Sequence, residues 1–570
     1  MLIDHGTYSS LMSRGKVPSG PLEGYSEFSV EPDPDDLEEA ISELARMVVE
    51  GEVTSREQLQ EKKMELLKGS NADTMPSNPM VLDHIKDHYP SHYATARELL
   101  AKKPSRTLSG VAVVAVMTSP YPCPHGRCIF CPGGTESPTP TPQSYTGKEP
   151  AAMRAAQNEY DPFRQTRNRI EQLGSIGHPT DKVDLILMGG TITDRPRDYQ
   201  ASFVKGCLDG LNGLKSGTFE EAARLNERSH HRCIGMTFET RPDRLGSRES
   251  DLILSLGGTR VELGVQSLYD GPLKRSGRGH TVEHVVDATR MARDCGLKIG
   301  YHLMPGIPGS DPNMDVGTAS RAFEDERFRP DMIKIYPALV IAGTKLYDEW
   351  KRGEYSPLST EEAADVVARI KRTTPAWVRI QRVQRDIPSG LIEGGVKKSN
   401  LRQISQALMA ERGWRCDCIR CREIGHRLGI AGQPPEKKDV AMGRIDYGAG
   451  GGKEAFISMD TDGGMSLIGY VRLRRPSQDT HRKEMSGASV VRELKVFGPL
   501  VPIGARALKE WQHRGFGQEL LLEAERVTSD EWGLDNILVN SGIGTREYYR
   551  KLGYERKGPY MAKALRGDPS

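Results

Sequence analysis

The chain has 570 residues, 37% hydrophobic and 27% charged, with a net charge of +2. That length holds two to four domains, each able to bury its own core, and the composition is that of a soluble globular protein. It excludes a helical membrane protein, since no apolar run reaches the length a span requires.

The first residues, MLIDHGTYSS, are acidic and polar where a signal peptide is basic and then apolar, so a cytoplasmic location is expected. Nine cysteines fit that compartment, because six fall in two tight clusters. Cys207, Cys233 and Cys295 stand alone and read as small buried apolar side chains. Residues 1 to about 30 are rich in Gly, Pro and Ser and read as irregular. Helical patterns follow over 35–51 and 54–69, the second opening at Thr54 with Glu57 at the capping-box position. Residues 1–80 are therefore an N-terminal extension, partly helical.

A strand–helix repeat then dominates a domain at 81–385. Strands are predicted at 110–118, 183–190, 232–240, 260–267, 297–308 and 332–340, separated by polar helical stretches such as 151–173 and 281–295. Six apolar strands alternating with helices imply a parallel sheet, doubly wound or curled into a partial barrel. No glycine-rich dinucleotide fingerprint follows the first strand. Each distinctive polar motif lies at the C-terminal end of a strand, where barrel enzymes assemble their sites. A partial (β/α)6 barrel in an α/β chain is the reading.

The first of those motifs is CPHGRCIFCPGGT, with Cys123, Cys128 and Cys131 in C-x4-C-x2-C spacing. Three thiolates on one loop suit a four-iron cluster with one iron open to a ligand. The alternative is a zinc knuckle whose fourth ligand comes from elsewhere. Gly189-Gly190-Thr191 ends the second strand and is otherwise an ordinary tight turn. A basic tract runs from Arg369 to Arg385. The repeat breaks over a linker at 386–436, where Cys416, Cys418, Cys421 and His426 have zinc-ligand spacing, although a histidine from another segment could close that site. Strands and a strong helix return in a unit at 437–570. Gln512, Gly515 and Gly517 form a Q-x-x-G-x-G loop entering that helix, which turns backbone N–H groups toward one point and suits a pyrophosphate.

The cysteine loop followed by Gly-Gly-Thr resembles the radical S-adenosylmethionine (radical SAM) enzymes, with one extra residue between the first two cysteines. That resemblance implies Cys123, Cys128 and Cys131 as ligands of a 4Fe-4S cluster, with Gly189, Gly190 and Thr191 near the methionine amino group of S-adenosylmethionine. The order of strands, Q-x-x-G-x-G loop and REYYRKLGYE resembles the GNAT acetyltransferases, an α+β fold that binds acetyl-CoA. Both together, with segments such as SGVAVVAVMTSPYPCPHGRCIFCPGG, ETRPD, KIYPALVIAGTKLY and TREYYRKLGYERKGPYM, resemble the family of Elongator catalytic subunits over nearly everything beyond about residue 80.

That family implies an acyltransferase that leaves a carboxymethyl group on the wobble uridine of tRNA. It implies Lys182, Glu493, Leu494, Lys495, Val496, Phe516, Gly517, Gln518 and Tyr549 as acetyl-CoA contacts, Tyr548 and Tyr549 near the CoA sulfur, and Lys334 with Tyr336 facing the active cavity. For the two tyrosines, simple core packing is the alternative. Arg382 and Arg385 would meet phosphates of the anticodon stem-loop, against a solvated basic face. Zinc in the linker would be structural. An electron donor is implied, a homodimer is allowed, and further subunits would accompany a eukaryotic source. The competing function is a protein-lysine acetyltransferase of histone type, with the barrel regulatory.

Overall fold

The computed structural model describes residues 34–69, 75–100, 110–137, 140–428, 436–497 and 515–566. The expected irregular segment at 1–30 and the loop residue Gln512 lie outside the described residues. The chain forms two compact units, Met1–Leu100 and Ala101–Ser570. In the first, helices Pro34–Val49, Arg56–Gly69, Asn78–His88 and Tyr93–Leu100 close on Leu44, Val53, Leu59, Leu82 and Ile85. The capping box of the second helix forms one residue later than the sequence suggests. Ser55 Oγ accepts the Gln58 N–H at 3.1 Å, and Gln58 Oε1 accepts the Ser55 N–H at 3.1 Å.

The second unit opens with β1 (Ala112–Met117), β2 (Lys182–Met188), β3 (Arg232–Thr240), β4 (Arg260–Gln266), β5 (Lys298–Leu303) and β6 (Met332–Ile335). These six predicted strands pair in sequence order, all parallel, in a curled sheet. After β7 (Val340–Ile341) a seventh parallel strand, β8 (Arg379–Val383), joins β6. Sequence reading had placed β8 in a basic surface tract. Its Ile380 is fully buried, and Arg379 reaches Glu423 at 2.7 Å, so the arginines do not prevent a strand. β9 (Ile392–Gly394) pairs with β7.

The predicted helix at 151–173 is two helices, Pro150–Gln157 and Pro162–Ser175. Glu159 and Tyr160 turn through positive φ, and Asp161 caps the second helix ahead of Pro162. Along β4 the residues alternate. Val261, Leu263 and Val265 are fully buried in the apolar core, whereas Arg260 and Glu262 reach Asp184 and Lys334 across the lumen. Barrel interiors are usually filled by branched apolar layers; this one carries charge along its axis. The three lone cysteines are buried as expected.

Helices Leu401–Glu411, Ile419–Arg422 and Ile424–Leu428 follow, with Cys416 and Cys418 in the turn ahead of the second and Cys421 within it. Beyond them lie β10 (Ala441–Ala449), β11 (Gly452–Thr461), β12 (Ser466–Arg475), β13 (Ala488–Val496), β14 (Asn536–Val539), β15 (Glu555–Lys557) and β16 (Tyr560–Ala564). They form a mixed sheet in the order β10-β11-β12-β13-β14-β16-β15, in which, among the described residues, only β13 and β14 run parallel. Helix Phe516–Arg526 packs on this sheet through Phe516, Leu520, Leu521 and Ala524. Arg472, Arg474 and Arg492, which alternate like a solvent face, are fully buried against the N-terminal side of the barrel strands. Arg492 grips Asp331 at 2.6 and 2.7 Å and Glu454 at 2.8 Å, while Arg474 holds Asp294 at 2.5 Å. Every charge in this seam has an opposite partner, which burial requires.

Candidate active site

At the C-terminal ends of the barrel strands lies a cavity of about 180 Å³. Cys123, Cys128 and Cys131 line it together with Gly190, Thr191, Lys334, Tyr336, Arg382 and Arg385. The sequence had scattered these residues over more than two hundred and fifty positions. Gly189 is required by close approach: a Cβ there would lie 2.2 Å from Thr118 Oγ1, and its φ is +130°.

The cysteine loop is set in positive charge. His125 Nε2 lies 3.1 Å from Cys128 Sγ, and Arg278 donates to the same sulfur at 3.5 Å. Arg241 holds His125 at 2.5 Å and the Arg278 carbonyl at 2.7 Å. The hydrogen bond from Cys131, with Arg278 and His125 behind it, draws the Cys128 thiol down to about 3, against the effect of burial. That bond and burial push Cys131 up. A ready thiolate and two further thiols, on a loop opening into the cavity, are a donor set that fits a 4Fe-4S cluster.

The cavity floor is a network of which sequence reading names Lys334 but not Glu262, His302 or Glu239. Glu262, fully buried, pairs with the Lys334 ammonium and accepts from His302 at 2.9 Å. Lys334 also lies 3.5 Å from Glu239, which accepts from the Tyr145 hydroxyl at 3.4 Å. Burial alone would raise the Glu262 carboxyl, but Lys334, His302 and Arg260 hold it well below the usual carboxylate range. Burial opposes the Lys334 charge, yet Glu262, Tyr336 and Glu239 raise its pKa, so it stays protonated. Glu239, Glu262 and His302 bring their ligand atoms within 4.8 Å of one another, but the Lys334 ammonium fills the place of a cation. The period-2 polarity of R-V-E-L-G-V-Q at 260–266 is the signal that would have found Glu262. Arg382 pairs with Asp386 and Arg385 reaches the Ser144 carbonyl at 2.7 Å, so both sit at the cavity rim rather than on an open face.

The remaining candidates lie elsewhere. Lys182 begins β2, at the strand end away from the cysteines, and burial lowers its pKa. Glu493 is held by Arg472 at 3.0 Å and Lys298 at 3.4 Å. Burial, with the charge of Arg379, takes Lys495 down to about 8. Leu494 and Val496 pack against the mixed-sheet core. Gly515, at φ +92°, leads into the helix with no side-chain cap, followed by Phe516, Gly517 and Gln518. A Cβ on Gly517 would lie 3.3 Å from the Tyr548 hydroxyl and 3.7 Å from Val496. Tyr548 is exposed, whereas Tyr549 is buried in the sheet core beside Tyr554.

In the second cysteine cluster the sulfurs of Cys416, Cys418 and Cys421 lie within 4.8 Å of one another. Tetrahedral zinc would space them roughly 3.8 Å apart, so three positions of such a site fit. His426 is not gathered with them; its Nε2 lies 3.9 Å from Glu423.

Residues 118–319 match the model of the radical SAM superfamily, and 330–411 match the radical SAM C-terminal domain. The chain is 48% identical over 92% of its length to a tRNA uridine(34) acetyltransferase of Methanocaldococcus jannaschii, 98% of which is covered. It is 44% identical over 86% of its length to human Elongator complex protein 3, 91% of which is covered. The solved structure of Methanocaldococcus infernus Elp3, truncated at its N-terminus, superposes with a TM-score of 0.71 at 46% identity, over 80% of this chain and 99% of that one. The radical SAM domain supports a 4Fe-4S cluster and S-adenosylmethionine as cofactors. Among the described residues no helix is long and apolar enough to cross a membrane. The chain belongs to the family of tRNA uridine(34) acetyltransferases and Elongator complex protein 3, within the radical SAM superfamily.

Proposed function

We propose that this chain is a tRNA uridine(34) acetyltransferase that uses radical SAM chemistry and acetyl-CoA to form 5-carboxymethyluridine at the wobble position. The observation that carries this reading is the convergence of three thiols, Gly190-Thr191 and the Glu262–Lys334 pair in one cavity, in a chain 48% identical to proteins of that name.

Cys123, Cys128 and Cys131 would hold the cluster, and Gly189-Gly190-Thr191 would present backbone groups to S-adenosylmethionine. When bound, these cofactors supply abstraction of hydrogen from an unactivated carbon, here the acetyl methyl group. Lys334, kept charged by Glu262, would donate to a carbonyl of the uracil or of the acetyl group. Tyr145 and Tyr336 line the same cavity and would restrict the base, while Arg382 and Arg385 at its rim would meet phosphates of the anticodon loop. The acetyl-CoA half of the reading, a GNAT domain at 437–570, rests on Gly515, whose uncapped helix leaves first-turn N–H groups for a pyrophosphate. Lys182, Glu493 to Val496, Gln512, Phe516 to Gln518 and Tyr549 would complete that contact. Burial raises the phenols of Tyr548 and Tyr549, so both remain protonated donors for a departing sulfur. Cys416, Cys418 and Cys421 would hold a structural zinc with its fourth position taken by another ligand.

The test is Cys128→Ala. Loss of tRNA modification supports the reading. Acetylation of peptide lysines that survives the substitution, with no tRNA product from the unsubstituted enzyme, supports the histone-type alternative instead.

A further inference from the structure

A second recess, of about 350 Å³, lies beside the N-terminal ends of β3 and β4, at the end of the barrel away from the cysteines. It is lined by Arg224 from helix Phe219–Asn226 of the barrel and by Arg546, Arg550 and Arg556 from the mixed-sheet half. Two carboxylates, Glu220 and Glu227, face these four guanidinium groups. Glu227 is shared by Arg546 at 3.1 Å and Arg550 at 2.7 Å. Arg550 also pairs with Glu547, whose carboxylate lies 3.5 Å from Arg228. Among the described residues Arg224 and Arg556 form no ion pair.

Arg546 is the informative member. It is only 3% exposed, and its Nε finds no acceptor among the described residues. Burial, and then the charge of Arg556, lower its pKa against the opposing pull of Glu227. A buried guanidinium beside further cations is costly unless an anion meets it. The planar fork of arginine matches phosphate oxygens in pairs, and several forks around one recess favour a group with three charged oxygens over a single carboxylate. The recess is also separate from the loop at Gly515–Gly517. Arg546 and Arg550, four residues apart, share the helix face toward Glu227, while the Tyr548 hydroxyl turns to Gly517.

We propose that Arg224, Arg546, Arg550 and Arg556 form a binding site for a phosphoryl group, carried by a small phosphate compound or by an RNA backbone. The site exists only where the barrel and the mixed sheet meet, so its ligand bridges the two halves. The experiment compares the full-length protein with the R224A/R556A double variant. Both residues are exposed and outside the catalytic machinery, and the unfolding temperature should not change. Inorganic pyrophosphate is titrated by calorimetry, and tRNA is titrated at several salt concentrations. The variant should lose at least roughly tenfold in affinity for the ligand that belongs to the site. Weaker tRNA binding with a salt slope reduced by about 1 or more identifies the RNA backbone as the source. Weaker pyrophosphate binding with tRNA unchanged identifies a small phosphate compound. Unchanged affinity for both, or no pyrophosphate binding together with unchanged tRNA affinity, overturns the proposal.

Discussion

Glu262 sets the electrostatics of the cavity floor, because Lys334, His302 and Arg260 all converge on it inside the barrel. Glu262→Gln keeps the shape and leaves a buried ammonium without its main partner, so chemical denaturation should show a loss of about 3–5 kcal/mol. Adding Lys334→Met should recover part of that loss, since the two changes remove one interaction. Neither variant should modify tRNA. Lys495 offers a test in pH. Its folded pKa of about 8 lies below that of an unfolded lysine, so the unfolded chain binds more protons between about 8 and 10.4. Its contribution is therefore unfavourable below pH 8 and is relieved as pH rises through that window. Stability of Lys495→Met relative to the parent should be highest below pH 8 and fall toward pH 10; a difference independent of pH would refute the assignment.

At the scale of elements, the proposed zinc would tie the segment 401–428 together through its cysteines. Cys418 is buried, Lys371 lies 3.8 Å from Cys421 Sγ, and Arg379 of β8 is tied to Glu423. A metal chelator should release one zinc per chain and lower the unfolding temperature by several degrees, and Cys418→Ser should show neither the metal nor the chelator effect. Much of this architecture was legible in the chain. The six strands and the cysteine loop could be read because apolar runs end at Pro, Gly and Cys. β8 was not, since its arginines at 379 and 382 read as surface until the burial of Ile380 and the pairing of Arg379 with remote Glu423 are known. Glu262 and His302 were missed for the same reason. Their meaning comes from Lys334, which is remote in sequence and adjacent only across the lumen.

Across the second unit, the barrel and the mixed sheet are fastened by buried arginines as well as by apolar contacts, since Met485, Val490, Leu538, Ile543 and Tyr560 join the barrel core. Arg492→Ala removes the guanidinium that Asp331 and Glu454 share and should cost about 3–5 kcal/mol, read by denaturant midpoint. The most direct test uses acetyl-CoA whose methyl group is trideuterated, with S-adenosylmethionine, reductant, tRNA and the anaerobically reconstituted protein. Mass spectrometry should find one deuterium in 5′-deoxyadenosine and two in the methylene of 5-carboxymethyluridine. Unlabelled 5′-deoxyadenosine, or unmodified uridine alongside an acetylated peptide, would contradict the account.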